Sequence, residues 1–289
     1  MMVQGLERFI HYARHNQRLS EHTCKAYQID LQQFVAFAHD FGVADWTELS
    51  ASSVRGFMAA CMKDGLSARS VHRKVSSIRA FVRYARKTQL LAHDPLSGIQ
   101  LPKMGKKLVQ DIPAQDLWNM FHHFQWAEEQ QGVRDHSLLL TLYTTGMRLS
   151  ELISLNIQDV DFSRNTLSVT GKRNKVRLIP MHPELRDTLK TMSHGRKAAE
   201  PLFQLETGKR LYPVFVYRLV NRYLKLFSDA AKTSPHVLRH SFATHMLNNG
   251  AELLAIKDIL GHSGLNATQI YTKNSFEKLK SMHKLHPRK

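Results

Sequence analysis

Residues 234–250 read SPHVLRHSFATHMLNNG, a helix with its start, stop and buried face all written in. Ser234 is a good N-cap, because its hydroxyl can accept from a first-turn N–H that has no partner inside the helix. Pro235 suits the first helical position, where its missing N–H costs nothing and its fixed φ is already helical. Asn249–Gly250 closes the element, since Gly takes the left-handed conformation on which many helices end. Leu238, Phe242 and Met246 recur every four residues and must face a core. His236 and Arg239 are three apart and share another face, in the first turn. Free N–H groups attract anions there, so an added guanidinium and imidazole make a plausible phosphate site. An H-x-x-R pair standing alone reads as readily as a solvated surface pair.

Upstream, residues 144–152 read TTGMRLSEL. Gly146 permits a sharp entry into a helix whose Leu149, Leu152 and Ile153 face inward, which holds Arg148 near that helix's start. The bland alternative is an Arg salt-bridged to Glu151 on a surface. Residues 166–170 and 176–180 are β-rich and flank the basic turn GKRNK at 171–175, which predicts a hairpin. Downstream, LGHSG at 260–264 puts His262 just past a helix closed by Gly261. Asn266 and Gln269 form a box that opens another helix, with Tyr271 inside it. A Tyr so placed is ordinarily half-buried packing. Further helices are expected near 183–192, 213–228 and 252–260. Residues 276–284 predict a short terminal helix with Phe276, Leu279 and His283 on its apolar side.

The first hundred residues read as all-helical. Ser20 caps a helix to about residue 39, with Tyr27, Leu31, Phe34 and Phe37/Ala38 at helical spacing. A second begins near Ser50 and a third spans about 67–87. In the third, Val71, Val75, Ile78, Val82 and Ala85 form an apolar stripe beside a polar one of His72, Ser76, Arg79, Arg83 and Arg86. No acidic residue lies between Asp64 and Asp94, while Arg69, Arg73, Lys74 and Lys87 add to the positive charge. A one-signed face repels itself and calls for an anionic partner, unless it is simply a solvated basic face. Arg73, Arg79, Arg83 and Arg86 are the candidate DNA contacts. Pro95, Gly98, Pro102 and Gly105 then break the periodicity, which predicts a linker at 99–110 between domains 1–98 and 111–289.

Bulk properties agree. A chain of 289 residues has material for two domains, and 41 Lys+Arg against 24 Asp+Glu give +17. Such a balance favours polyanions, nucleic acid first and anionic membrane second. No run approaches the ~18 apolar residues of a membrane span, and no signal-peptide pattern opens the chain, so a cytoplasmic protein without membrane insertion is expected. Cys24 and Cys61 are too few for a disulfide scaffold and lack metal-site spacing. The 17 His residues are scattered without HExxH, so no metal or other cofactor is expected.

Taken jointly, TTGMRLSEL, GKRNK, HVLRHSFATHML, LGHSG and TQIYT stand in the order and spacing of the tyrosine site-specific recombinases of the phage integrase family. The chain resembles that family throughout, its N-terminal part being similar to the family's core-binding domain. The likeness is greatest to the Xer type, to XerC members more than XerD, on GLSARSV, VRDHSLLLTLYTTGMRLSEL and the terminal HPR. Lys273 departs from the His that Xer proteins often carry there, at a position outside the catalytic set. The resemblance implies a mainly α fold with a small β-sheet: an all-helical core-binding domain plus an α+β catalytic domain, together clamping DNA. It places the family's functional positions on Arg148, Lys172, His236, Arg239, His262 and the nucleophile Tyr271. Composition alone leaves Arg173 and Lys175 as rivals to Lys172.

The chemistry suits these residue types. A Tyr ester stores the energy of the broken phosphodiester bond, so religation needs no ATP. Two guanidinium forks suit two non-bridging oxygens. A Lys in a turn can protonate the leaving 5′ oxygen, and a His can accept the Tyr proton. The implied partners are a double-stranded recombination site, a tetramer on two such sites, a sister Xer recombinase and a septal DNA translocase. A mobile-element integrase or invertase, a type IB topoisomerase and a non-catalytic DNA-binding protein remain alternatives.

Overall fold

In the computed structural model, which describes residues 2–105, 111–127, 129–171 and 174–261, the chain divides into units Met1–Lys107 and Leu108–Lys289. Among its described residues the first unit holds four α-helices, α1 (Met2–His15), α2 (Glu21–Asp40), α3 (Ala51–Lys63) and α4 (Ala68–Lys87). Ser20, Ser50 and Ser67 start the last three, each accepting from the backbone N–H three residues on. α1 is held by packing Leu6, Phe9 and Ala13 into the core. Trp46 sits 4.0 Å ring to ring from Phe81, and its indole N–H donates to the Met2 carbonyl at 2.8 Å.

All five residues of the α4 apolar stripe are buried, while Arg79, Arg83 and Arg86 are exposed. Arg86 lies 3.8 Å from Asp94. Arg73 and Lys74 turn toward the wholly buried Asp30, which also accepts from Ser77 at 2.8 Å. A buried carboxylate has to be answered by donors, and α4 supplies three. Arg73 is thus an ion-pair partner as well as half-exposed. Packing in this unit continues past residue 98: Ile99 and Leu101 join the core, and the Pro102 carbonyl meets His72 Nε2 at 2.8 Å. Both cysteines are free and buried.

The second unit comprises α5 (Ala114–His122), α6 (Gln130–Thr145), α7 (Leu149–Ser154), β1 (Val160–Asp161), β2 (Thr166–Thr170), β3 (Val176–Pro180), α8 (Pro183–Ser193), α9 (Pro213–Phe227), α10 (Pro235–Asn248) and α11 (Leu253–Leu260). The strands form one antiparallel sheet in the order β1-β2-β3, so the expected hairpin gains a two-residue third strand. Every residue from Ser137 to Thr145 is buried. A helix buried on all sides belongs at a core's centre, and α8 and α10 pack against α6 there. Gly146 ends α6 at φ 59°, and a Cβ in its place would run into Phe242 and Leu260. Glycine is required twice over, by backbone angle and by the close approach of α10 and α11. Among the described residues, no helix is long and apolar enough to cross a membrane.

Candidate active site

The helix read first from sequence forms as its residues dictate. Ser234 accepts from the Val237 N–H, Pro235 opens α10, and Leu238, Phe242 and Met246 are wholly buried. His236 lies exposed in the first turn. Polar contacts join α10 to the start of the second unit. Ser241 Oγ accepts from the Ile112 N–H at 2.8 Å, and His245 Nε2 lies 3.6 Å from Asp111. Nδ1 of His245 is hydrogen-bonded to the Tyr143 hydroxyl at 2.9 Å. Burial holds this imidazole's pKa below its usual value, against the pull of Asp111.

Arg239 and Arg148 meet at the C-terminal end of α11. Arg239 Nη1 donates to the Gly146 carbonyl at 2.6 Å and Nη2 to Leu260 at 2.8 Å. Arg148 is the N-cap residue of α7, and its Nη2 donates to the Gly261 carbonyl at 3.0 Å. The two guanidiniums therefore hang from consecutive carbonyls. A helix end offers such orphan carbonyls and the negative end of its dipole, so it draws cations together. Burial, and then the nearby charge of Arg148, pull the Arg239 pKa down to about 10. A cation under that pressure gains when an anion arrives.

Two residues that sequence reading did not assign complete the cluster. Glu151 is 4% exposed and receives the Arg148 backbone N–H at 2.7 Å and Arg148 Nη1 at 2.7 Å. The ion pair that would have made Arg148 an ordinary surface residue is thus present, but buried and beside Arg239. Arg177 of β3 donates Nη1 and Nη2 to the two Glu151 oxygens at 2.9 and 2.8 Å, and Nε to the Ile259 carbonyl at 2.7 Å. Burial alone would raise the Glu151 carboxyl; hydrogen bonds from Arg177 and the Arg148 backbone outweigh it and hold the pKa below the usual range. Arg177 occupies an inward register of β3, on the same face as Ile179.

Lys172, His262 and Tyr271 lie outside the described residues, as do the expected helices after Gly261. The described part of the site brings Arg148 and Arg239 together, with His236 in the same first turn as Arg239. Cationic groups so gathered can stabilise an oxyanion. Among the described residues, no group of three His, Cys, Asp or Glu side chains is arranged to hold a metal ion.

Comparison with known proteins points the same way. Residues 112–278 match the phage integrase family, and residues 6–89 match its N-terminal SAM-like domain. The tyrosine recombinase XerC of Bacillus subtilis is 33% identical, covering 96% of this chain and 94% of that protein. XerC of Pseudomonas aeruginosa is 34% identical over 99% and 96%. XerD of Oceanobacillus iheyensis is 33% identical over the whole of both chains. Among solved structures, the Tn1549 transposon integrase with circular intermediate DNA superposes at a TM-score of 0.71, with 21% identity and 94% and 97% coverage. The XerH recombinase bound to its difH substrate superposes at 0.67, with 21% identity and 96% and 83% coverage. At that identity these two likenesses speak for the fold.

Proposed function

This chain belongs to the phage integrase family as a tyrosine recombinase of the Xer type, and on that premise we propose that it resolves chromosome dimers by recombining two copies of one DNA site through a 3′-phosphotyrosine. Breaking and rejoining DNA at specific sites is the activity of the type. The finer reading concerns which residues act and to what end.

In the proposed reaction the Tyr271 oxygen attacks the scissile phosphorus and its proton passes to His236 or His262. The bond to the 5′ oxygen breaks, and that oxygen takes a proton from Lys172. Arg148 and Arg239 meet the charge on the non-bridging oxygens. Exchange with the partner duplex and the reverse reaction reseal the strands, and the ester conserves bond energy so that neither ATP nor a metal ion enters. The observation that carries this reading is the pair of guanidiniums on the consecutive Leu260 and Gly261 carbonyls. Each is a permanent fork, and a phosphodiester offers two acceptor oxygens for them. The basic face of α4 supplies affinity without sequence preference. A tetramer on two sites, a sister Xer recombinase and a septal DNA translocase complete the proposal.

Genome-wide footprinting would find the bound site, and a supercoiled plasmid with two direct copies of it would test the reaction. Resolution into two circles is expected, with the site near the terminus of chromosome replication. A footprint at the ends of a mobile element would reassign the role. Relaxation without sequence preference would point to a topoisomerase, and binding without cleavage would remove the enzymatic reading.

A further inference from the structure

We propose that Arg177 is a positioning residue for the reaction: it sets the geometry and charge of Arg148 by clamping Glu151 and pinning the end of α11, and it does not itself touch the phosphate. The inference rests on the function proposed above.

Arg177 stands on β3 with Val176 and Leu178 exposed on either side of it. A guanidinium thus occupies the inward register of an amphipathic strand and is 7% exposed. Burying a cation is costly unless its charge and its donors are answered. Here they are answered in three directions at once, by both oxygens of Glu151 and by the Ile259 carbonyl. Its side chain is 8% exposed against 35% for that of Arg148, so it is the less open of the two to a substrate oxygen.

The Glu151 carboxylate that it clamps is the one that holds Arg148. Oε2 takes the Arg148 backbone N–H and Oε1 takes its Nη1, so both ends of that residue are fixed by one carboxylate plane. Arg177 sets that plane from the strand. Charge follows the same logic. Without Arg177, Glu151 would largely cancel Arg148. With it, three guanidiniums face one carboxylate, leaving two positive charges for a phosphorane that carries two negative ones. Connectivity adds a further link. Lys172 lies four positions before Val176, the first residue of β3, and Ile259 lies three positions before His262. One side chain ties the strand that follows Lys172 in sequence to the helix start carrying Arg148 and to the helix end preceding His262.

The test uses the full-length protein in single-turnover formation of the covalent adduct on a nicked suicide duplex. The scissile position is either an ordinary phosphate or a methylphosphonate, in which a methyl group replaces one non-bridging oxygen and the group is neutral. Arg177→Met and the double variant Arg177→Met/Glu151→Gln, which leaves no unpaired carboxylate, are compared with wild type on each substrate. DNA affinity should stay within a few-fold of wild type. Cleavage of ordinary DNA should fall about 10–100-fold in Arg177→Met, on the scale seen when a group that orients a metal ligand is removed, and by less in the double variant, which keeps the net charge of the wild-type site but leaves Arg148 unclamped. Arg177→Lys should restore little, since an ammonium cannot fork. On the methylphosphonate the deficit relative to wild type should shrink to a few-fold, because less charge remains for Arg148 to meet. A merely structural Arg177 would slow both substrates equally, and that result overturns the proposal. So does a wild-type rate in the double variant, or its failure to fold. A wild type that forms no adduct at all would instead overturn the proposed function.

Discussion

Arg239→Ala is expected to cut strand cleavage by about 10²–10³-fold, the usual cost of one lost oxyanion donor, while the fold keeps nearly its full stability. The two effects separate because the guanidinium is held under electrostatic pressure in the resting protein. Its hydrogen bonds to the Gly146 and Leu260 carbonyls are worth about 1–1.5 kcal/mol each. Against them stands the pressure that burial and Arg148 exert, which lowers its pKa from 12.5 to about 10. That drop corresponds to about 3 kcal/mol disfavouring the charged form, and to about 2 once screening at the partly exposed edge is discounted. Removing the side chain loses the bonds and relieves the pressure, so stability should fall by no more than about 2 kcal/mol. The transition state, by contrast, loses about 3–4 kcal/mol of preorganised charge. Adduct formation on a denaturing gel gives the first quantity and urea unfolding the second. Arg239→Lys should be rescued poorly on the gel. Cleavage within tenfold of wild type would remove Arg239 from the reaction. A stability loss above about 4 kcal/mol would make it a structural residue instead.

Four further outcomes are expected. Tyr271→Phe should bind DNA normally and form no covalent adduct; an adduct that persists would move the nucleophile to another tyrosine. Lys172→Ala should be slow on ordinary DNA and largely restored on a 5′-bridging phosphorothiolate, whose sulfur leaves without a proton, whereas Arg148→Ala should not be restored. An equal deficit on both substrates would pass the role of acid to Lys175. Replacing Arg79, Arg83 and Arg86 with Ala should lower the slope of log affinity on log salt by about 0.9 for each phosphate no longer neutralised, and an unchanged slope would mean that this face does not meet DNA. Glu151 has a lowered carboxyl pKa, so its ionised form adds stability that is present above the unfolded carboxylate range and lost as pH falls through the folded value. Urea midpoints should therefore fall more steeply with acid in wild type than in Glu151→Gln, and parallel curves would contradict the buried pairing.

What could be read from sequence was what local rules decide. Ser20, Ser50, Ser67 and Ser234 each mark a helix start, because a short polar side chain answers an orphan N–H within three residues. Residues 166–180 give the hairpin for a similarly local reason: two β-rich runs flank one basic turn. The elements that escaped depend on partners far along the chain. α1 is held by Phe9 against Tyr27, Phe81 and Tyr84. β1 is two residues long, too short for any periodicity, and exists because Val160 pairs with Leu167.

The candidate site divides along the same line. Arg148 and Arg239 sit in helix-start patterns whose spacing can be recognised, so sequence finds them. Glu151 and Arg177 are defined by each other across 26 positions, and neither is unusual for its own segment. A Glu three residues after an Arg reads as a helix-surface pair. An Arg between Val and Leu reads as the solvent side of a strand. The structure inverts that second reading, because Val176 and Leu178 face out and Arg177 faces in. That inversion is tolerable only because Glu151 lies buried opposite, and a buried Glu151 is tolerable only with Arg177 and Arg148 upon it. The three charges form one unit, so removing any one should disturb the others more than its own hydrogen bonds suggest.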